Sequence, residues 1–200
     1  MIISFIGTGL MGFPMAKNLL KNNFKLNIFS RTIGKAEPLK EFGGNIKNSI
    51  GEAVKDSDIV ITMLTDDDAI EEVFGNSDFL KNLKSQSTII DMSSIKPKIA
   101  IYFGNLFKKR NIHFLDAPVS GGTIGAEEAS LAIMVGGNKK TFDDSYDVLK
   151  AMGNPILVGP IGSGQVSKLA NQIIVGVTIG AVAEAITLCE KAGVDGNMFI

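Results

Sequence analysis

The sequence predicts an α/β fold, a doubly wound sheet followed by one long helix. Apolar runs of strand length alternate with stretches of helical spacing between residues 2 and 152, the pattern of strands joined by crossover helices. The opening run, IISFI, breaks straight into glycines spaced G-x-G-x-x-G at Gly7, Gly9 and Gly12. Past GPIGSGQ, a single helical stretch spans residues 165–192, and Gly193 is placed to cap it.

Taken in order, residues 2–6 form a buried strand that must turn sharply into a helix over residues 10–21, where Met15, Ala16, Leu19 and Leu20 keep helical spacing. In such a turn Gly7 suits the tight bend, Gly9 the close approach of a phosphate and Gly12 the packing of helix on strand. The helix aims its unpaired N–H groups and positive dipole end at the same point. A second strand follows at residues 26–29, and the unit reads as a Rossmann-type dinucleotide site. At the end of that strand an NAD site usually carries Asp or Glu, whereas this chain has Ser30, Arg31 and Thr32. An Arg31 guanidinium, two hydroxyls and Lys35 suit a ribose 2′-phosphate, so NADP(H) is the preferred cofactor. With Arg31 merely stacked on adenine, NAD(H) would serve as well.

Further strands are expected at residues 60–64, 88–92, 112–115 and 131–135, and helices at 69–74, 99–109 and 140–152. The run GPIGSGQ marks a boundary, dividing the chain into a dinucleotide-binding domain, residues 1–161, and a helical segment, residues 162–200. Within the long helix, residues 173–183 carry no charge. Eleven residues are too few for a membrane span, which takes about 20, and Lys168, Asn171, Gln172 and Glu184 crowd its ends. Gly176 and Gly180 would let another helix approach closely, so this helix is expected to lie buried between domains or subunits, and a homo-oligomer follows.

Composition narrows the function classes. With 200 residues, 45% hydrophobic and 20% charged, the chain can bury one full core and begin another unit. A net charge of -1 offers no footprint for nucleic acid or an anionic membrane. The single cysteine, Cys189, sits among apolar neighbours and reads as a packed side chain in a reducing compartment. His113, the only histidine, lies in a strand-like run and reads as structural or supporting; no metal-ligand spacing appears. Residues 2–6 run directly into the glycine turn, with no basic region or cleavage site of a signal peptide, and a cytoplasmic location is expected.

Two further segments carry polar chemistry. Lys168, Asn171 and Gln172 stand at i, i+3 and i+4, on one face of the long helix. That is either a solvated helix start or, facing a cleft, a proton donor beside two substrate-holding amides. The segment DAPVSGG ends a strand where open α/β sheets place ligands. Ser120, Gly121 and Gly122 there offer a hydroxyl and bare backbone N–H groups to a carboxylate, or else form a plain tight turn.

FIGTGLMGFPMAKNL, SRT, VITMLTDD, IDMSSIKP, DAPVSGGTIGAEEASLAIMVGG and GSGQVSKLANQ, in this order, resemble the β-hydroxyacid dehydrogenase family. The likeness extends over essentially the whole chain; it is to the 3-hydroxyisobutyrate dehydrogenases and, more closely, to the tartronate semialdehyde reductases and related glyoxylate or succinic semialdehyde reductases. It implies that the glycine turn, including Leu10 and Met11, contacts cofactor together with Met63, Leu64 and Ser94. It further implies that Ser120, Gly121 and Gly122 bind the substrate carboxylate, that Lys168 is the acid/base and that Gln172 orients substrate. The chain departs from the family in reading GTG for the commoner GLG and KLANQ for KxxNN. Family members also continue past position 200 into an all-helical domain. The expected activity is interconversion of a small 2- or 3-hydroxy acid and its semialdehyde or keto acid; the alternative is an incomplete, non-catalytic nucleotide-binding fragment.

Overall fold

The computed structural model describes residues 1–198, so the last two positions of the 162–200 segment lie outside the described residues. The elements run β1 (Ile2–Ile6), α1 (Gly12–Lys21), β2 (Lys25–Phe29), β3 (Asn45–Ile46), α2 (Ile50–Val54), β4 (Ile59–Thr62), α3 (Asp67–Gly75), α4 (Ser77–Asn82) and β5 (Thr88–Asp91). Then come α5 (Pro97–Lys108), β6 (His113–Asp116), β7 (Val119–Ser120), α6 (Gly122–Glu127), β8 (Leu131–Gly137), α7 (Lys139–Asp144), α8 (Tyr146–Lys150), β9 (Gly153–Gly159) and α9 (Ser163–Lys191). Short 3-10 turns at Ile33–Lys35 and Glu37–Phe42 join β2 to β3, and another, Gly196–Met198, follows α9.

The sheet order is β3-β2-β1-β4-β5-β6-β8-β7, with β9 on β8. The first six strands in that order are parallel; β8 runs antiparallel to β6 and β7, and β9 parallel to β8. The chain therefore winds outward from β1 in both directions, as a doubly wound sheet does, and the crevice between β1 and β4 at their carboxyl ends is its switch point. Alternate residues of each strand feed two cores. Ile3, Phe5, Ile61 and Leu115 bury on one face with Leu19 and Leu26. Ile6, Val60, Ile89 and Phe114 bury on the other, under α3, α4 and α5. There Phe74 lies 5.1 Å from both Phe103 and Phe107 in edge-to-face contact.

Where sequence and structure differ, local geometry explains it. The strand expected at 60–64 stops at Thr62, which leaves Met63 and Leu64 on the loop facing the glycine turn. The helix expected at 140–152 divides at Ser145 (φ -104°, ψ 0°), which ends α7 and precedes α8, while Phe142, Val148 and Leu149 still reach the core. In the SGG segment Ser120 ends a short strand, β7, and Gly121 and Gly122 turn the chain into α6 with positive φ.

The long helix extends 29 residues. It is long and apolar enough to cross a membrane by length and composition. Within the chain its middle is uncovered, leaving the face expected to pack between domains or subunits open: Ile173 is 67% exposed, and a Cβ on Gly176 or Gly180 would meet nothing within 4 Å. Only Gly164 and Gln165 of α9 are buried, because only its amino end packs on the sheet. Cys189 is half-buried.

Candidate active site

The glycine turn occupies the switch point. Gly7 takes φ +97°, donates its N–H to the Phe29 carbonyl at 3.0 Å, and lies so close to the next loop that a Cβ would strike the Met63 carbonyl oxygen. A Cβ on Gly12 would run into the Gly7 carbonyl oxygen, so only glycine lets α1 start there. At Gly9 a Cβ would meet nothing within 4 Å. Two glycines thus serve packing, and the third leaves an open cradle at the amino end of α1. No side chain caps that end, where Met11 is the N-cap residue and Leu10 is 85% exposed. The helix begins at Gly12 rather than at residue 10.

Beside the cradle lies a cleft of about 280 Å³, lined among others by Gly9, Arg31, Thr32, Met63, Leu64 and Glu72. Ser30 and Lys35 also face it, Ser30 being buried and Arg31 largely exposed. Arg31 Nη1 stands 3.7 Å from Glu72 Oε2, a carboxylate that sequence reasoning did not single out. The open cradle, the uncapped helix start and the cationic far end fit a dinucleotide with its pyrophosphate at Gly9.

A second cleft, about 340 Å³, is lined by Ser94, Gln165, Lys168 and Gln172, with Asp66 and Lys96 at its rim. Lys168 Nζ donates to Gln172 Oε1 at 2.9 Å. Asn171 Nδ2 donates to Ser120 Oγ at 3.1 Å and lies 3.4 Å from Gln172 Oε1. One helix face therefore joins Ser120, Asn171, Gln172 and Lys168 in a continuous polar chain. Burial alone pulls the Lys168 ammonium below the 10.5 of a free lysine. Gly121 and Gly122 follow Ser120 with φ +138° and +61°, and a Cβ on Gly122 would find open space.

The groups that hold this helix start were missed. Asp116, fully buried at the end of β6, accepts N–H bonds from Gly162 at 2.7 Å and Gln165 at 3.0 Å. Gln165, 1% exposed, takes the Ile95 N–H on Oε1 at 3.1 Å and donates Nε2 to the Ser93 carbonyl at 2.8 Å. These bonds tie α9 to the loop after β5, and so set Lys168 against Ser94. A carboxylate closing the apolar run HFLD was the available signal. Burial raises the Asp116 carboxyl. Its register partner Asp91, also buried, is pushed up to about 6, first by burial and further by Asp116. His113 is exposed at the amino end of β6, opposite the glycine turn, and supports neither cleft.

Fold and site together define a dinucleotide-binding oxidoreductase domain. Residues 2–162 match the model for the NAD binding domain of 6-phosphogluconate dehydrogenase, and residues 162–200 that for the NAD-binding region of NADP-dependent 3-hydroxyisobutyrate dehydrogenase. The chain belongs to the β-hydroxyacid dehydrogenase family, whose members are NAD(P)-dependent dehydrogenases. It is 41% identical over 198 residues to the 2-hydroxy-3-oxopropionate reductase of Escherichia coli, covering 98% of this chain and 67% of that one. To the oxidoreductase YkwC of Bacillus subtilis it is 38% identical over 195 residues, covering 96% and 68%. A Mycobacterium tuberculosis 3-hydroxyisobutyrate dehydrogenase structure with L-serine superposes with a TM-score of 0.92 at 35% identity, over 97% of this chain and 66% of that chain. The chain thus spans about two thirds of the length of these relatives.

Proposed function

We propose that the protein interconverts a small 2- or 3-hydroxy acid and the corresponding semialdehyde or keto acid with NADP(H), Lys168 acting as general acid/base. The observation that carries this reading is the polar chain of α9, which links Lys168 and Gln172 through Asn171 to Ser120. The 2-hydroxy-3-oxopropionate reductase named above supports a small carboxylate-bearing substrate. When bound, the dinucleotide supplies or accepts the hydride. The backbone of the turn from Gly7 to Gly12, with Gly9 as its open point and Leu10 and Met11 at the helix start, would hold its pyrophosphate, and Ser30, Arg31 and Thr32 its 2′-phosphate; Met63 and Leu64 line the first cleft and Ser94 the second.

Ser120 Oγ and the N–H groups of Gly121 and Gly122 hold the substrate carboxylate, and the amides of Asn171 and Gln172 fix the carbonyl end. In reduction the Lys168 ammonium gives its proton to the carbonyl oxygen as that oxygen gains charge; in oxidation the neutral amine removes the hydroxyl proton. The depressed affinity of Lys168 for its proton suits both directions. The uncovered face of α9 suits a further domain or a second subunit rather than lipid, since its first turns belong to the polar site. NADPH oxidation followed with glyoxylate, succinic semialdehyde and tartronate semialdehyde tests the proposal. Turnover of at least one that Lys168→Ala lowers sharply upholds it; cofactor binding without turnover of any of them favours a nucleotide-holding fragment.

A further inference from the structure

We infer that Glu72 is a specificity-determining residue, a carboxylate placed on α3 that offsets the preference Arg31 confers. The inference rests on the reading of Arg31 as the 2′-phosphate partner. Both side chains line the cleft beside the glycine turn, at a separation of 3.7 Å, and both are open to an incoming ligand, at 87% and 68% exposure. The end of β2 lacks the carboxylate that commonly accepts a hydrogen bond from a ribose 2′-hydroxyl, Ser30, Arg31 and Thr32 standing there instead. Glu72 brings a carboxylate into the same space from the other wall. Toward a 2′-phosphate it acts twice against binding, by occupying the guanidinium and by like-charge repulsion. Toward an unphosphorylated ribose it acts for binding, as an acceptor. Arg31 and Glu72 together therefore make a site that admits both cofactors, with the margin between them set by the pair.

The test is fluorescence titration of NADPH and NADH against wild type, Glu72→Gln and Arg31→Gln. Glu72→Gln keeps the size of an exposed side chain and removes its charge, and is expected to raise the preference for NADPH over NADH about two- to fivefold, the scale of an exposed charge pair. Arg31→Gln is expected to lower that preference. A ratio of dissociation constants unchanged in Glu72→Gln but lowered in Arg31→Gln overturns the role of Glu72 and leaves the phosphate site standing. A ratio unmoved by Arg31→Gln overturns the phosphate site, and this inference with it.

Discussion

Asn171 Nδ2 reaches Ser120 Oγ at 3.1 Å across 51 positions of sequence, so the third turn of α9 is bonded to the end of β7. The bond fixes the distance between the group proposed to hold a carboxylate and the helix that carries the proton donor. Ser120→Ala and Asn171→Ala should each raise KM for the acid substrate. Because they share one bond, the double variant should lose less than the sum of the singles, by about 0.5–1.5 kcal/mol. Strict additivity of the three KM values would separate the two residues functionally.

Lys168 makes a sharper demand. Lys168→Ala should lower kcat by about 10²–10⁴, the usual worth of a general acid, with little change in cofactor affinity. The pH dependence has a definite sign. The ammonium is needed for reduction, so that rate is present below the group's pKa and is lost as pH rises through it; oxidation needs the amine and shows the reverse. Burial draws that midpoint below 10.5, toward neutrality. Rate profiles in the two directions should cross there, and identical profiles would remove Lys168 from the proton path.

The three glycines of the turn should separate stability from binding. Gly12→Ala drives a methyl into the Gly7 carbonyl, and should cost about 1–3 kcal/mol of stability, as overpacking does. Gly9 has no positive φ and no neighbour within 4 Å of a built Cβ, so Gly9→Ala should leave the denaturation midpoint in place. Its methyl would stand where the pyrophosphate approaches, weakening dinucleotide binding about tenfold or more. Midpoints from urea titration and dissociation constants from fluorescence read the two effects independently.

The central sheet was legible because both its faces are buried, which makes strands such as IISFI and IVIT near-continuous apolar runs, and because the glycine spacing is dictated by sterics that act within a few residues. β9 was not legible. It contains Asn154 and Pro155 between glycines, which read as a turn, and it forms because an edge strand leaves one side without a ladder to break. Lys168, Asn171 and Gln172 were legible as one helix face from their spacing. What set that face against Ser120 was not, since it depends on Asp116 and Gln165, which are 49 residues apart in sequence and meet only after β6 and α9 are in place. Glu72 escaped for the same reason: α3 brings it to Arg31 from 41 positions away, across the sheet's switch point.

Asp91 provides a test of the fold beneath the site. Its Oδ1 accepts from Thr62 Oγ1 at 2.9 Å and from the Ser93 N–H at 3.1 Å, while Oδ2 has no hydrogen-bond partner among the described residues. Buried beside Asp116, it holds its proton up to about pH 6, against an ordinary 3.8. A folded-state pKa raised in this way stabilises the protein fully below 3.8, and the contribution is lost as pH rises through about 6, because the unfolded chain then gives up the proton more readily. Asp91→Asn keeps the shape and the Oδ1 bonds but cannot ionise. The stability of wild type relative to the variant should therefore fall by on the order of 2 kcal/mol between about pH 4 and about pH 7. The readout is the change in that difference with pH rather than its value at one pH, so a fixed cost of seating an amide cancels. Urea midpoints that stay parallel over this range would mean that Asp91 is already ionised in the folded protein and that its environment is wetter than its burial indicates.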